Sequence, residues 1–307
     1  MGRTLNFMKN KISYRIPNLY HDRRMESDDP VRQAQLIELH LLEVFKTICE
    51  SHGFKYWIHS GTLIGALRHG GAIPWDDDLD VYLLKKDYRR FLQACHDELP
   101  QDVYLEEPQE DRAHREENML TRFRDNYSTA LAPHRKRLLI NDHHGVCIDI
   151  FILEECGRPT ALKRWVLHTY ASNLGYFRRA HYDQVTVWNL IRKWTIGLWV
   201  VIVGTFWKVL QLMTLRKDYL SQTNFYTGWK KWMPKDWFLR EGQAPRTVRY
   251  ENIEVPIPFE AEKCLEMEYG DWKKLPSKDK RHGYFHIILP TTPCFHPAAM
   301  QYPKEGE

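Results

Sequence analysis

Two aspartates separated by one residue, Asp78 and Asp80, are the strongest chemical signal in the sequence. They stand at the start of an apolar run, residues 79–84, whose composition is typical of a β-strand. Because successive side chains of a strand point to opposite faces, the two carboxylates should share one face, about 6–7 Å apart. Hard divalent cations prefer carboxylate oxygens, so the spacing predicts a metal site. The preceding Asp76 and Asp77 would support it.

A glycine-containing turn, Ser60-Gly61, lies just upstream of the acidic cluster. A predicted strand at residues 55–58 gives way there to a predicted helix at residues 62–69. Free backbone N–H groups at the start of a helix bind phosphate, and a guanidinium at its end can bind phosphate oxygens. The predicted donor-binding residues and their supporting neighbours are therefore Ser60, Gly61, Thr62, Arg68, His69 and Trp75.

Each of these predictions has a plainer alternative. Acidic clusters in loops are usually solvated surface, and basic residues such as Arg68 at the end of a helix also complement its dipole. A calcium loop of the EF-hand type fits poorly, because its sixth position would be Val81 and its twelfth Asp87. The functional interpretation is favoured because a surface loop requires neither a glycine turn before it nor an apolar strand after it.

The run GTLIGALRHGGAIPWDDDLDVYL, residues 61–83, resembles the signature of the LicD family, which includes phosphocholine transferases of bacterial surface glycans. Fukutin-related proteins share that domain. The resemblance implies an α+β fold with a polymerase-beta-like nucleotidyltransferase core, a small mixed sheet flanked by helices, and a helical C-terminal addition. It also implies that Asp149, in a predicted strand at residues 145–153, is the third carboxylate. A bound cation would remove the cost of placing that charge in an apolar run.

The resemblance further implies an activity. A phospho-alcohol, most plausibly phosphocholine, would move from a CDP-alcohol donor to a sugar hydroxyl of a glycan or lipid-linked glycan, and CMP would leave. Asp78, Asp80 and Asp149 would hold two Mg²⁺ or Mn²⁺ ions, and Asp149 could receive the acceptor's proton. Two alternatives stay open: a nucleotidyltransferase that moves a nucleoside monophosphate, and a non-catalytic, membrane-associated accessory protein with the same fold.

Composition and charge limit the class of protein. A chain of 307 residues, 43% of them hydrophobic, can bury a substantial core. The net charge of +4 argues against a dedicated nucleic-acid binder. The six cysteines are scattered without a CxxC pair, and residues 1–20 contain no apolar core of a secretory signal. These features predict a cytoplasmic protein, peripheral on the inner face of the membrane if it binds lipid.

The predicted organisation has four parts: a basic arm at 1–29, the catalytic core at 30–157, a helical insertion at 158–247, and the C-terminal part of the LicD-like domain at 248–307. Helices are also predicted at residues 30–52, 160–182 and 219–232. Within the insertion, residues 194–215 are the most hydrophobic segment, with tryptophans at its start and basic residues at both ends. Three interpretations are open: a buried core helix, a helix lying in a membrane interface, and a membrane span.

Overall fold

The computed structural model describes residues 23–107, 120–131, 142–166, 169–170, 173, 187–213, 216–222 and 232–301. These residues form the α+β architecture that the sequence predicts, with helices packed around a mixed sheet. The finer prediction, a polymerase-beta-like core, stays a prediction. So do the boundaries of the four predicted parts.

The first long helix, α1 (Pro30–His52), has the bounds that its sequence predicts. The Val31 N–H donates to the Asp29 side chain, and proline occupies the first helical position. Gly53 ends the helix in the left-handed conformation, at φ +68°. One face of α1 is buried against the sheet, so this helix anchors the main core.

The remaining elements follow in chain order. Among the described residues, the further α-helices longer than two turns are α2 (Ser60–His69), α3 (Lys85–Glu98), α4 (Val187–Leu212) and α5 (Ala261–Tyr269). The strands are β1 (Tyr56–Ile58), β2 (Leu79–Leu84), β3 (Val103–Glu106), β4 (Thr121–Asp125), β5 (Thr129–Leu131), β6 (Cys147–Cys156), β7 (Tyr219–Gln222), β8 (Trp232–Pro234), β9 (Arg246–Tyr250), β10 (Ile253–Ile257) and β11 (Ile287–Leu289).

The central sheet has the strand order β1-β2-β6-β4-β3, and β7 and β8 extend it along the far half of β6. Strands β2 and β6 are parallel, whereas the other neighbours are antiparallel. Asp80 on β2 is the register partner of Asp149 on β6, and Arg122 on β4 lies opposite Asp149. The sheet therefore brings three charged residues from three strands into one row.

The two faces of this sheet are covered differently. Val81, Leu83 and Ile150 point into the main core with α1, α2 and α3. Side chains alternate along a strand, so Asp80 and Asp149 lie on the opposite face. A second hydrophobic cluster covers that face beyond the charged row, and it contains Trp57, Tyr82, Leu84, Leu153, Leu220, Met233, Phe238 and Cys264.

The prediction of a helix at residues 219–232 is wrong. Its two described ends are strands β7 and β8, and residues 223–231 lie outside the described residues. Strand β7 pairs with residues 153–156 of β6, which runs three residues past its predicted end. The local structure was decided by pairing with a sheet that other parts of the chain form. The spacing of residues within a short segment does not reveal such pairing. The insertion is therefore not wholly helical.

Other predicted segments agree or fall outside the described residues. Residues 161–166, 169–170 and 173 are helical, as expected for the predicted helix at 160–182, whose remainder is not described. Within the predicted basic arm, residues 1–22 are not described. Its last part belongs to the folded structure, because buried Arg24 forms a 2.7 Å ion pair with buried Asp125.

Helix α4 contains residues 194–212 of the apolar segment 194–215. A stretch of 20 residues, Ile191–Leu210, is long and apolar enough to cross a membrane by length and composition, and only 6% of its residues are buried within the protein. The interpretation as a buried core helix is therefore wrong. Length and composition do not separate the two membrane interpretations.

Candidate functional site

The charged row on the sheet forms the floor of the candidate site. Neighbouring strands lie about 4.8 Å apart, so the in-register Asp80 and Asp149 carry adjacent carboxylates. Both side chains are half-buried. Asp78 precedes Asp80 by two residues. The charge of Asp149 lies close enough to Asp78 to raise the pKa of the Asp78 carboxyl. The structure thus brings the three predicted carboxylates together.

Arg122 gives Asp149 a counter-charge that the sequence interpretation lacked. Its Nε donates to Asp149 Oδ1 at 2.5 Å, and Glu106 lies 3.7 Å from the same guanidinium. Burial opposes the charge on Arg122, but Asp149 and Glu106 more than compensate and raise its pKa. A cation is therefore not required to offset the charge of Asp149, and metal binding by this carboxylate stays a prediction.

Asp76 and Asp78 form a close carboxyl pair at the entrance to β2. Burial, reinforced by the charge of Asp78 and a hydrogen bond to it, raises the pKa of Asp76 to about 8. Burial also raises the pKa of Asp78, to about 6, although this side chain keeps an exposed edge. Two carboxyls this close share a proton near neutral pH because both cannot ionise without repulsion. A divalent cation would replace that proton.

The start of α2 meets the same carboxyl pair. A Cβ atom at Gly61 would lie 2.8 Å from Asp76 Oδ2 and 4.0 Å from Asp78 Oδ1. Among the described residues, no side chain caps the first turn of this helix. The predicted phosphate-binding turn and the predicted metal site are therefore one site, in which carboxylates approach the positive end of a helix.

Ser60 and Thr62 have structural roles in that turn. Ser60 is a non-glycine residue at φ +49°, and its hydroxyl donates to Glu268 on α5 at 2.9 Å. A left-handed serine costs conformational free energy and persists only where its surroundings hold it. Thr62 Oγ1 accepts from the Asp80 N–H at 2.8 Å. Both residues thus position the acidic cluster, and their contact with a donor stays a prediction.

Asp77 differs from its acidic neighbours because it is buried and points away from the carboxyl pair. Its carboxylate accepts the backbone N–H groups of Tyr284 and Phe285, at 2.5 and 3.0 Å. A Cβ atom at Gly283 would lie 2.3 Å from the same carboxylate, so a larger residue there would displace Asp77. Asp77 therefore ties the C-terminal segment to the site.

The turn between α2 and β2 is braced from two further directions. Gln35 on α1 donates through Nε2 to the carbonyl oxygens of Ile73 and Asp76, at 3.0 and 2.8 Å. Glu251 accepts from the Ala72 N–H at 3.3 Å. These contacts hold the acidic turn in place before any ligand binds.

Glu38 is a buried carboxyl beneath the cluster that the sequence interpretation missed. Burial and the charges of Asp78, Asp77, Asp76 and Asp80 raise its pKa well above the usual range. Burial and these charges therefore favour the neutral form of Glu38. The signal was present in the sequence, because Glu38 occupies a core-facing position of α1, four residues after Ala34.

The basic and aromatic candidates form a separate group at the far end of α2. Arg68 lies eight residues after Ser60, which is about 12 Å along the helix. Its guanidinium donates to the Trp272 carbonyl at 2.9 Å and to His69 at 3.0 Å. Burial and the nearby charge of Arg281 lower the pKa of Arg68. Phosphate binding by Arg68 stays a prediction, and at this distance it would involve a different phosphate from the one at the start of α2.

Trp75 joins this basic group. The Arg281 guanidinium lies 5.1 Å from the Trp75 ring centroid, and the His69 ring lies 6.2 Å away. The three other aromatic residues near the signature belong to the core: Tyr56, Trp57 and Tyr82. Only Trp75, among these four, keeps a partly open ring beside the site.

The carboxylates of the site are the candidate ligands of a metal ion. Among the described residues, no three His, Cys, Asp or Glu side chains are arranged to hold an ion as they stand. Asp149 is engaged by Arg122, and Asp78 by Asp76. The oxygen-only chemistry of Asp78, Asp80 and Asp149 fits Mg²⁺ or Mn²⁺, and metal binding by these residues stays a prediction.

Gly61→Ala should lower turnover by about tenfold or more. The added methyl group would displace the Asp76 carboxylate, which lies beside the proposed metal ligands. The fold should be kept, since Gly61 lies on a partly exposed first turn. Turnover should be measured in a double-mutant cycle with Asp76→Ala. Gly61→Ala should have little further effect in the Asp76→Ala background; an undiminished effect there would show that the glycine contacts the donor directly.

The metal-free protein should lose stability as the pH rises towards 8. The pKa of Asp76 is raised from 3.8 to about 8 in the folded state. Stabilisation from this proton is complete below the unfolded value and lost as the pH passes the folded value. The melting temperature should therefore fall by a few degrees between pH 6 and 8. Asp76→Asn should flatten this dependence, and an equally steep fall in that variant would contradict the assignment.

Comparisons with known proteins test the family resemblance. Residues 53–129, which include α2, the acidic turn and β2, match the family model described as "LicD/FKTN/FKRP, nucleotidyltransferase domain". The chain is also similar to the lipopolysaccharide cholinephosphotransferase LicD of Haemophilus influenzae, with 27% identity over 270 residues. That match covers 84% of this chain and 96% of the relative. The resemblance to the LicD family is therefore confirmed.

Two eukaryotic relatives match shorter regions. The ribitol 5-phosphate transferase FKRP of Homo sapiens is 45% identical over 40 residues, which cover 13% of this chain and 8% of that protein. Mannosyltransferase regulator 4 of Saccharomyces cerevisiae is 27% identical over 106 residues, which cover 34% of this chain and 8% of that protein. These two likenesses are local.

Proposed function

We propose that this protein is a metal-dependent phosphotransferase. It moves a phospho-alcohol, most plausibly phosphocholine, from a CDP-alcohol to a sugar hydroxyl of a cell-surface glycan and releases CMP. The observation that carries the proposal is the convergence of Asp78, Asp80 and Asp149 at the start of α2. Carboxylates beside an uncapped helix start suit a cation that bridges protein and phosphate.

The names of the relatives support this reaction class. The Haemophilus protein is a cholinephosphotransferase of lipopolysaccharide, and FKRP is a ribitol 5-phosphate transferase. Both names describe transfer of a phosphorylated alcohol. The first relative is matched over almost its whole length, which favours phosphocholine as the group and a glycan as the acceptor.

The reaction breaks one P–O bond and forms another. The bond between the phospho-alcohol and CMP breaks, and the acceptor's hydroxyl oxygen bonds to the transferred phosphorus. Mg²⁺ or Mn²⁺ held by Asp78, Asp80 and Asp149 would neutralise charge on the phosphates. The hydroxyl proton passes to a carboxylate of the cluster, with Asp149 as the candidate acceptor. Arg122 holds the Asp149 carboxylate in a fixed orientation.

Other residues of the site bind and orient the donor. The N–H groups of the first turn of α2 would face a donor phosphate. Arg68 and Arg281 form a second cationic group, about one helix length away, that suits an anionic part of the donor or acceptor. The Trp75 ring, which already attracts the Arg281 guanidinium, would also attract a quaternary ammonium group.

The test is turnover with defined donors. The protein is incubated with Mg²⁺ or Mn²⁺, a glycan acceptor, and CDP-choline, CDP-ribitol or CDP-glycerol in turn. Release of CMP with the alcohol phosphate on the acceptor supports the proposal. A nucleoside monophosphate on the acceptor would identify a nucleotidyltransferase. No metal-dependent product with any donor would favour a non-catalytic accessory protein.

We place this activity in the cytoplasm, at the inner face of the membrane. In this proposal the CDP-alcohol donor is in the cytoplasm, and the lipid-linked glycan acceptor is at the inner face of the membrane. The exposed apolar helix α4 gives the protein a means of staying there.

A further inference from the structure

Helix α4 has two apolar faces, and only one of them contacts the protein. Residues Ile196, Val200, Val203, Trp207 and Leu210 recur at helical spacing and are buried or half-buried. A Cβ atom at Gly204 would lie 2.8 Å from the Tyr170 ring, so the helix approaches the protein closely on this side. These residues define the inward face of α4.

The outward face of α4 consists of large apolar side chains open to solvent. At 100° per residue they cover an arc of about 160°, roughly half the circumference of the helix. Monomeric proteins rarely leave so continuous an apolar surface uncovered. The exposed large side chains are Val187, Trp188, Ile191, Trp194, Leu198, Trp199, Val201, Ile202, Phe206, Val209 and Leu212.

The charges on this helix have one sign. Helix α4 contains Arg192, Lys193 and Lys208 but no acidic residue. Arg216 and Lys217 are exposed just beyond its end, followed by the exposed Asp218. A helix with charges of one sign repels a second copy of itself and attracts an anionic surface. Tryptophans near the start of the helix suit the boundary between lipid headgroups and chains.

A membrane-spanning orientation conflicts with the sheet. Strand β6 precedes the segment 157–218, which contains α4, and strand β7 follows it. The two strands are hydrogen-bonded antiparallel neighbours. Both ends of this segment therefore lie on one side of any membrane. A span through α4 would need a second span between residues 157 and 186, where basic and polar residues interrupt every apolar run.

We infer that the outward face of α4 lies flat on a bilayer that contains anionic lipid. The large apolar side chains enter the boundary between headgroups and chains, and the basic residues at its edge and end contact lipid phosphates. The inward face stays packed against the protein. This binding does not depend on the proposed chemistry.

Vesicle binding tests the inference directly. The full chain should sediment with phosphatidylcholine vesicles that contain phosphatidylglycerol. Its affinity for vesicles without that anionic lipid should be lower by about tenfold or more. Leu198→Asp combined with Ile202→Asp should weaken binding by about a hundredfold, because two outward apolar side chains are lost. The melting temperature should stay near that of the wild type, since these side chains are 64% and 50% exposed.

A matched control uses the same change of charge on another surface. Met25→Asp combined with Met267→Asp alters side chains that are 63% and 43% exposed and lie outside α4. This variant should bind vesicles like the wild type. Val203→Asp, on the inward face, should destabilise the fold instead.

Several outcomes would overturn the inference. One is a wild-type protein that stays wholly in the supernatant with both vesicle types, and another is an α4 double variant that binds as tightly as the wild type. A wild-type dimer without vesicle binding, dissociated by the α4 double variant, would assign the face to a second copy of the chain. Because the readout is sedimentation, failure here leaves the proposed transferase activity to its own test.

Discussion

Asp80→Asn should lower turnover by at least about a thousandfold, which corresponds to the several kcal/mol that a lost metal ligand costs in the transition state. The amide keeps the shape of the carboxylate but loses its charge. The backbone N–H of residue 80 still donates to Thr62, so the strand and the turn should stay in place. The measurement is CMP release from the active CDP-alcohol, with circular dichroism to monitor the fold.

The control for Asp80→Asn is Asp236→Asn, which removes the same charge from an exposed residue outside the site. It should leave turnover unchanged. A folded Asp80→Asn protein with near-normal turnover would end the proposal that the row of carboxylates holds a catalytic metal. Equal losses in both variants would point to a general effect of charge.

Asp77→Ala should lower the stability of the fold rather than the turnover, although Asp77 lies between two members of the acidic cluster. The substitution leaves the Tyr284 and Phe285 N–H groups without their acceptor. Hydrogen bonds to a charged group contribute about 1.5–3 kcal/mol each, so the free energy of unfolding should fall by about 3–6 kcal/mol. Urea denaturation measures this loss, with the slope compared to that of the wild type.

Asp77→Asn is the matched variant for this prediction, because it keeps one acceptor oxygen at the same position. It should lose about half as much stability as Asp77→Ala. A fully stable Asp77→Ala protein that has lost turnover would contradict the structural role and assign Asp77 to the chemistry. Turnover therefore tests the role of Asp80, and the free energy of unfolding tests the role of Asp77.

Local patterns determined much of the site in advance. Apolar residues at helical spacing were sufficient to predict α1 with the bounds that the structure shows. The placement of Asp78 and Asp80 on one face stays a prediction, because β2 begins after Asp78. The signature at residues 61–83 predicted the family. These predictions succeed because the relevant interactions lie within a few residues along the chain.

Contacts between distant parts of the chain decided the rest. Arg122 and Asp149 are 27 residues apart, and Asp77 and Tyr284 are 207 apart, so their partnerships follow from strand register and from the path of the C-terminal segment. The same holds for residues 219–232, where pairing with β6 overrode an apparent helical pattern. Spacing along the chain also showed that α4 is apolar, but only the packed structure separates its inward face from its outward face. Backbone pairing and burial depend on which surfaces meet in three dimensions, and that is decided by the tertiary structure rather than by local sequence.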